Sequence, residues 1–214
     1  MSSKRRTITI LGLAGSPRYG GNTELLLDAF LAGATDAGGK VEKRRLAQLS
    51  IAGCIACDRC QGTGYCIVKD DFQPIDERLV AADVIALAAP LFFANLPAQV
   101  KALVDRSQCQ WVRKFLRKDP LPVSTAGYTR RRGIFLCVAG AINEDFSGVM
   151  RTVKYFFDLY ETDFWADLRF EDIVAKGAIE AHPTALRTAF NLGVRAVQES
   201  VFHDSIAACD HPQV

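Results

Sequence analysis

Four cysteines lie close together in the amino-terminal third of the chain. They form the pattern Cys54-x-x-Cys57-x-x-Cys60-x5-Cys66, which places four thiols within 13 residues. A Cys-x-x-Cys-x-x-Cys run suits the four thiolates of an iron–sulfur cluster, because each two-residue spacer turns the chain about one corner of the cubane. Structural zinc sites normally use two Cys pairs separated by a longer spacer. The pattern predicts a 4Fe–4S cluster, with zinc or an unmetallated set of thiols as alternatives.

The other potential metal ligands and nucleophiles are scattered. Isolated cysteines, expected as small buried side chains, stand at Cys109, Cys137 and Cys209. The three histidines are far from the cysteine cluster, and the chain has no Gly-x-Ser-x-Gly elbow and no metal-spaced His/Glu pair. Hydrolytic chemistry therefore has little support, and no catalytic side chain is predicted. The chemistry expected of such a chain is that of a bound cofactor, which the protein positions and tunes.

A second candidate site is the turn Gly15-Ser-Pro-Arg-Tyr-Gly-Gly-Asn-Thr23. It lacks both the Gly-x-Gly-x-x-Gly of dinucleotide folds and the Gly-Lys-Ser/Thr ending of nucleoside triphosphate sites. The hydroxyls of Ser16 and Thr23, the guanidinium of Arg18 and a helix start near Asn22 suit a dianionic phosphate. The alternative is a polar turn in which Asn22 or Thr23 caps the helix.

The elements that must position these residues alternate between strands and helices. Buried or partly buried strands are predicted over 7–14, 41–46, 83–89, 133–139 and 162–173. Helical spacing follows the turn up to Gly38, and recurs over 71–82, from Pro97 to about Trp111, over 146–159 and over 184–202. This alternation predicts an α/β fold: a flavodoxin-like, doubly wound sheet of five parallel strands in the order 2-1-3-4-5. The whole chain, 1–214, is expected to form one such domain, with a cysteine-rich loop at 50–69.

Composition and charge argue against several functional classes. Hydrophobic residues make up 49% and charged residues 23% of the chain, and the formal net charge is +2, which is too small to suggest a nucleic-acid partner. No apolar run approaches the roughly 20 residues of a membrane span, and the apolar stretch after the basic start is too short for a signal peptide. We expect a cytoplasmic protein with no membrane partner, in which cysteines are thiols or metal ligands and not disulfides.

The middle of the chain is locally basic. Positive side chains occur in the stretch Arg113-Lys114 to Arg117-Lys118 and in Arg130-Arg131-Arg132. Because prolines and a glycine interrupt this region, we expect 113–132 to be an exposed connection with a solvated charged surface. The alternative is a docking patch for an acidic electron carrier such as ferredoxin, or for the phosphate of NADPH.

Three stretches resemble one family of flavoenzymes. The turn Gly15-Ser-Pro-Arg…Gly-Asn-Thr23 resembles the phosphate loop of the NAD(P)H-dependent FMN reductases with a flavodoxin-like fold. Residues 83–106 resemble the strand and flavin-ring loop of the same family, and 174–178 with 192–193 form a weaker third match. The four-cysteine motif resembles that of the iron–sulfur flavoproteins. It is also similar to cysteines that other flavodoxin-like reductases keep, often without a cluster.

The resemblance implies FMN as the cofactor and assigns residues to it. Those implied at the phosphate are Ser16, Arg18, Gly21, Asn22 and Thr23. Those implied at the isoalloxazine ring and ribityl chain are Pro90, Leu91, Phe92, Phe93 and Asn95, with Ala139 and Gly140 on the other side of the ring. This sequence departs from the family at Leu91, where tyrosine is usual, and at Ala94, where glycine is usual. One of Phe92 and Phe93 is expected in the core. The resemblance also implies a homodimer or homotetramer and, as a possible donor, NAD(P)H.

Three functional hypotheses follow. The first is an iron–sulfur flavoprotein that passes electrons between FMN, a 4Fe–4S cluster and a protein or small-molecule partner. The second is an NAD(P)H-dependent FMN or quinone reductase without a cluster. The third, from another class, is a metal-binding or redox-sensing module that carries no flavin.

Overall fold

Five parallel strands form the centre of the molecule in a computed structural model that describes residues 7–119, 121 and 131–207. The strands are β1 (Thr9–Ala14), β2 (Lys40–Arg45), β3 (Val84–Pro90), β4 (Arg131–Val138) and β5 (Thr162–Phe170). Their order is β2-β1-β3-β4-β5, and every neighbouring pair is parallel. This confirms the predicted flavodoxin-like sheet.

Helices cover both faces of this sheet. Their bounds are α1 (Asn22–Asp36), α2 (Cys60–Thr63), α3 (Phe72–Ala81), α4 (Ala98–Arg106), α5 (Gln108–Trp111), α6 (Ser147–Leu159) and α7 (Ala185–Ala207). One core cluster joins one face of the sheet to α3, α4, α5 and α6, and the other joins the opposite face to α1 and α7. Since both faces are covered, β4 is buried along its full length. None of the helices among the described residues is long and apolar enough to cross a membrane.

The helices α1 and α7 pack through a pair of glycines. A Cβ added to Gly33 would collide with the backbone of Phe190, and a Cβ added to Gly193 would collide with the backbone of Phe30. Only glycine permits this close approach of two helix backbones. The contact fixes the long carboxyl-terminal helix against the helix that begins at the phosphate loop.

The expected exposed connection over 113–132 is wrong at both of its ends. Val112–Arg117 forms a π-helical turn that extends α5, and Arg113 is buried in it. Arg131 and Arg132 belong to β4 and are buried as well. Residues 120 and 122–130, which include Arg130, lie outside the described part of the chain.

Arg131 shows why a buried arginine suits the start of β4. Its Nε donates to the carbonyl oxygen of Ala82 at 2.7 Å, its Nη1 donates to that of Tyr160 at 2.6 Å, and its Nη2 donates to that of Leu79. Burial lowers the pKa of this guanidinium to about 10. The side chain satisfies carbonyl groups at the end of α3 and ahead of β5, so it joins three elements at the amino-terminal edge of the sheet.

Candidate functional site

A cavity of about 290 Å³ opens at the carboxyl edge of the sheet. It lies where strand order reverses, between the loops that follow β1 and β3, which is where ligands bind in doubly wound sheets. From the phosphate loop it is lined by Ser16, Pro17, Arg18, Gly21, Asn22 and Thr23, from the β3 side by Pro90, Leu91 and Phe92, and from the β4 and β5 side by Val138, Gly140, Ile173 and Val174. The structure thus brings together most of the residues that the resemblance assigns to FMN.

The phosphate loop presents hydroxyl and amide groups to this cavity. Gly21 occupies the N-cap position of α1 without a side-chain cap, so the interpretation of Asn22 or Thr23 as a capping side chain is wrong. The first-turn amides of α1 therefore have no capping side chain as acceptor. The Ser16 hydroxyl accepts a hydrogen bond from the Arg18 amide at 3.1 Å, which tightens the turn. No described group pairs with the Arg18 guanidinium, so this loop offers an anion both a cation and a helix start.

Glu24, a buried carboxylate that the sequence analysis did not single out, supports the loop from behind. It is the third residue of α1, and its Oε2 accepts a hydrogen bond from the Gly20 amide at 2.9 Å. Lys43 and Arg45 of β2 pair with it at 3.2 and 3.1 Å. Burial opposes ionisation, but the Gly20 amide and these two cations outweigh it and lower the pKa of Glu24. A glutamate at the third helical position, as in a capping box, was the available signal.

The loop after β5 closes over the phosphate loop through the side chain of Asn22. Asn22 Nδ2 donates to the carbonyl oxygen of Ala175 at 2.9 Å, and its Oδ1 accepts from the Ile179 amide at 3.3 Å. The side-chain amide expected at the phosphate is therefore engaged with this loop. The same loop brings Lys176 near, since a Cβ placed on Gly20 would lie 4.0 Å from Lys176 Nζ. Sequence reasoning missed this second cation.

The loop after β3 makes a tight turn at the cavity. The amides and carbonyls of Phe92 and Asn95 pair in both directions at 2.9 Å, and Phe93 and Ala94 between them have φ of 48° and 57°. Phe92 is 44% exposed and lines the cavity, whereas Phe93 is fully exposed at the tip. The expectation that one of them belongs to the core is wrong. Asn95 lies outside the cavity lining, and its Oδ1 accepts from the Leu96 amide.

The wall on the β4 and β5 side differs in detail from the expected one. Gly140 lines the cavity, but Ala139 is 1% exposed and lies behind it, with its amide bonded to Phe170 and its carbonyl to Ile173. Val138, Ile173 and Val174 complete the wall. Val174 belongs to the third stretch of the resemblance, which was the available signal for this part of the site.

The four cysteines line a second, smaller concavity of about 30 Å³. Cys54 and Cys57 are exposed, and Cys60 and Cys66 are partly buried. Burial raises the pKa of the Cys60 thiol, and the charges of the other three cysteines raise it further. The rest of the wall is formed by Ile55, Ala56, Asp58, Ile67 and Val68 and, at the junction of α4 and α5, by Arg106, Gln108 and Cys109.

This concavity suits an iron–sulfur cluster in its chemistry. Its donor set is four soft sulfur atoms, and much of its wall is apolar. Positive φ values of 51° at Ala56 and 55° at Asp58 turn the chain sharply between successive cysteines. Across the described ranges, no three His, Cys, Asp or Glu side chains stand close enough together to bind a metal ion. The cysteines thus share one pocket but do not converge on one point.

The isolated cysteines behave as predicted where they are described. Cys109 and Cys137 are buried, and burial raises the pKa of each thiol to about 12. Cys209 lies outside the described residues. Thiols with such pKa values are poor nucleophiles and poor ligands, so among the described cysteines the four clustered ones are the chemically available set.

Two arginines of the basic stretch hold the cysteine loop. Arg117 Nη1 donates to the carbonyl of Gly62 at 2.7 Å, and Arg113 lies over the ring of Tyr65 at 5.3 Å. A Cβ added to Gly64, which has φ of 79°, would lie 2.9 Å from the Arg113 side chain. These contacts dock the short helix α2 against the π-helical turn, so the two side chains have a structural use apart from any docking partner.

The fold is shared with solved oxidoreductases. A NAD(P)H:quinone oxidoreductase from Methanothermobacter marburgensis superposes with a TM-score of 0.60 at 18% identity, over 89% of this chain and 96% of that one. An FMN-dependent NADH-azoreductase from Bacillus anthracis, solved with FMN, superposes with a TM-score of 0.58 at 14% identity, over 90% and 100%. At these identities the likeness shows the flavodoxin-like fold alone.

Sequence comparison identifies more similar proteins than the comparison of folds. An iron-sulfur flavoprotein of Methanosarcina thermophila is 36% identical over 124 residues, which cover 58% of this chain and 65% of that protein. One from Methanocaldococcus jannaschii is 37% identical over 99 residues, covering 46% and 51%. The chain thus matches less than two thirds of the length of these relatives. The profile of the NADPH-dependent FMN reductases matches residues 8–139, which contain the phosphate loop, the cysteines and the ring loop. The chain belongs to the NADPH-dependent FMN reductase family, and it is similar in sequence to the named iron-sulfur flavoproteins.

Proposed function

We propose that this chain is an FMN-dependent oxidoreductase of the iron–sulfur flavoprotein type, which passes electrons between FMN, a 4Fe–4S cluster and a further partner. The observation that carries the proposal is the pairing of two sites in one fold. A cavity of about 290 Å³ lies at the carboxyl edge of the sheet, and a separate concavity is lined by four cysteines at iron–sulfur spacing. The family and the named relatives support both parts.

On the flavin side, the chain binds and orients FMN. Ser16, Thr23 and the first-turn amides of α1 hold the phosphate, and Arg18 supplies the positive charge. Pro90, Phe92, Gly140 and Val174 line the same cavity and would surround the isoalloxazine ring and ribityl chain. FMN supplies two-electron chemistry with a donor such as NAD(P)H, and the apolar part of this wall excludes water from the ring.

On the cysteine side, Cys54, Cys57, Cys60 and Cys66 bind the cluster, which supplies one-electron transfer. Cys60 and Cys66 anchor it to the helical layer, because both pack against the core cluster. Cys54 and Cys57 are exposed. A protein carrier of the ferredoxin class can approach the site from that exposed side.

Iron, sulfide and flavin analysis of anaerobically purified protein tests the proposal. We expect FMN together with about four iron and four sulfide per chain in the wild type. Cys60→Ala should lose most of the iron and keep FMN. Cys109→Ala is the matched control, because Cys109 lines the same concavity and lies outside the motif; it should keep both. Flavin without iron in the wild type would favour an FMN or quinone reductase without a cluster. The absence of both would favour a flavin-free thiol module.

A further inference from the structure

Arg106, the last residue of α4, is a buried cation beside the cysteine concavity. It is 2% exposed, and its two terminal nitrogens are fully engaged. Nη1 donates to the carbonyl of Ala52 at 3.0 Å and to Asp70 Oδ2 at 2.7 Å, and Nη2 donates to the carbonyl of Val68 at 3.0 Å and to Asp70 Oδ1 at 3.2 Å. Ala52 and Val68 flank the four cysteines in the sequence. One side chain therefore joins both ends of the cysteine loop.

The remaining donor of this guanidinium has no partner. Arg106 Nε is buried and makes no hydrogen bond within the described structure. Buried donors are rarely left unpaired, so such an atom beside a ligand site indicates that the ligand or its own ligands supply the acceptor. Arg106 and Cys66 both line the concavity, and Asp70 and Cys66 together raise the pKa of the guanidinium against the effect of its burial.

The groups around the guanidinium hold its positive charge beside the cysteine concavity. Asp70 is the neighbouring counter-ion, and the face of the guanidinium lies over the ring of Phe72 at 4.8 Å. A planar cation with directional donors, held from three sides, cannot turn away from the concavity. A lysine has neither the planar fork nor a donor at this position of the side chain.

We propose that Arg106 is a positioning residue of the cysteine site, which closes the loop and directs its Nε–H to a sulfur on the Cys66 side of the bound cluster. This inference depends on the proposed function, because it requires a cluster at the four cysteines. A hydrogen bond to sulfur and a nearby positive charge both stabilise the reduced cluster, which carries more negative charge. Arg106 therefore raises the reduction potential of the cluster, and Asp70 partly offsets this effect.

Redox titration of the holoprotein, monitored by electron paramagnetic resonance, tests the assignment. Arg106→Gln should move the midpoint potential of the cluster to more negative values, because a cation and a donor are lost. Asp70→Asn should move it to more positive values, because the guanidinium stays and its counter-ion is neutralised. Lys101→Gln is the control. It removes a positive charge from the same helix, but Lys101 is exposed and paired with Asp105 at 2.7 Å, so its midpoint should match the wild type.

The outcomes separate this inference from the proposed function. Wild-type protein without iron and sulfide overturns the proposed function, and the inference with it. A cluster whose midpoint is the same in wild type, Arg106→Gln and Asp70→Asn leaves the function standing and overturns the inference. If Arg106→Gln retains no iron, the direction of the shift in Asp70→Asn decides, and a negative or absent shift there counts against the assignment. A purely structural role for Arg106 predicts weaker iron retention without opposite shifts in the two variants.

Discussion

Several charged residues, two of them beside the candidate sites and one at the opposite edge of the sheet, hold backbone in place. Glu24 holds the phosphate loop through Gly20, Arg106 joins both ends of the cysteine loop, and Arg131 satisfies the carbonyls at the end of α3. A sequence shows the charge of such a residue but not the backbone group it meets. For this reason Arg131 was expected at an exposed surface, and Glu24 and Arg106 were not singled out at all.

Arg18 gives a prediction about cofactor affinity. Arg18 lines the cavity, and no described group pairs with its guanidinium, so in an FMN complex we expect a charge-assisted contact with the phosphate. Arg18→Ala should weaken FMN binding to the apoprotein by about 1.5–3 kcal/mol, roughly 10- to 150-fold. Fluorescence titration of FMN measures this. Arg195→Ala is the control, because Arg195 is 60% exposed on α7 and pairs with Glu199 away from the cavity. Equal affinities of Arg18→Ala and wild type would remove Arg18 from the site.

Asp76 gives a prediction about stability and pH. It is 8% exposed and accepts hydrogen bonds from Tyr160 Oη at 2.7 Å and from Gln110 Nε2 at 2.9 Å. Burial outweighs these bonds and raises the pKa of Asp76 above 3.8. A carboxyl group whose pKa is higher in the folded than in the unfolded state stabilises the folded protein at pH values below the pKa of the unfolded state. This stabilisation is lost as the pH rises through the pKa of the folded state. The free energy of unfolding of wild type minus that of Asp76→Asn should therefore fall as the pH rises.

Asp70 provides the opposite sign as a control. Burial raises its pKa, but the hydrogen bonds from Arg106 and from the Ala52 and Phe72 amides outweigh burial, so the pKa is lowered below 3.8. Asp70 therefore stabilises the folded protein at pH values above the pKa of the unfolded state, and this stabilisation is lost as the pH falls through the pKa of the folded state. Urea unfolding of both Asn variants across the acidic range gives the two differences. If the two differences changed in the same direction with pH, this assignment would be contradicted.

At the scale of elements, the loops after the strands carry the sites, and their conformations depend on few residues. The turn after β3 requires positive φ at Phe93 and Ala94, a region in which non-glycine residues are strained. Glycine is usual in the family at the position of Ala94. In this chain alanine occupies a left-handed conformation at that position.

Ala94→Gly should therefore stabilise the folded protein. Relief of the left-handed strain is worth about 1–2 kcal/mol, and the greater freedom of glycine in the unfolded chain offsets about 0.4–1 kcal/mol, so a net gain of about 0.5–1 kcal/mol is expected. Ala102→Gly, inside α4, is the matched control. There the same change should destabilise the protein by roughly 0.5–1 kcal/mol, because a helical alanine has no strain to lose. Thermal or urea unfolding measures both, and a loss of stability in Ala94→Gly would show that the turn is not strained.

Regular elements were predictable where periodicity dominates. The predicted strands over 83–89 and 133–139 agree with β3 and β4 within two residues, because apolar β-branched runs between helices have few alternatives. The π-helical turn Val112–Arg117 was not predicted, because its charged residues are typical of an exposed connecting segment. Tertiary contacts stabilise this turn: Lys114 pairs with Asp158, and Arg117 donates a hydrogen bond to Gly62, which is distant in the sequence.

At the scale of the whole molecule, the two candidate sites are separate. No residue lines both the flavin cavity and the cysteine concavity. Strand order predicted the first site at the carboxyl edge, and the motif spacing predicted which cysteines share the second. Where the cysteine loop docks was not predictable from topology alone. It packs beside Arg106 and Cys109 at the α4–α5 junction, through contacts between residues some 40–55 positions apart, such as Arg106 with Ala52.

This separation leads to the last prediction, on electron transfer. The helix α4 begins after the flavin-ring loop and ends at Arg106 beside the cysteines, a length of roughly 13 Å for nine residues. Loss of the cysteine ligands should therefore leave the flavin cavity intact. In Cys57→Ala, the reduction of bound FMN by a two-electron donor should stay near the wild-type rate, whereas transfer to a one-electron protein acceptor should slow strongly.

Stopped-flow measurement of both half-reactions makes the comparison, with Cys137→Ala as the control, because Cys137 is buried in β4 away from both lining sets. If both half-reactions slow equally while FMN stays bound, the cysteines shape the flavin site itself. The two sites then act as one unit, and the relay between them is wrong.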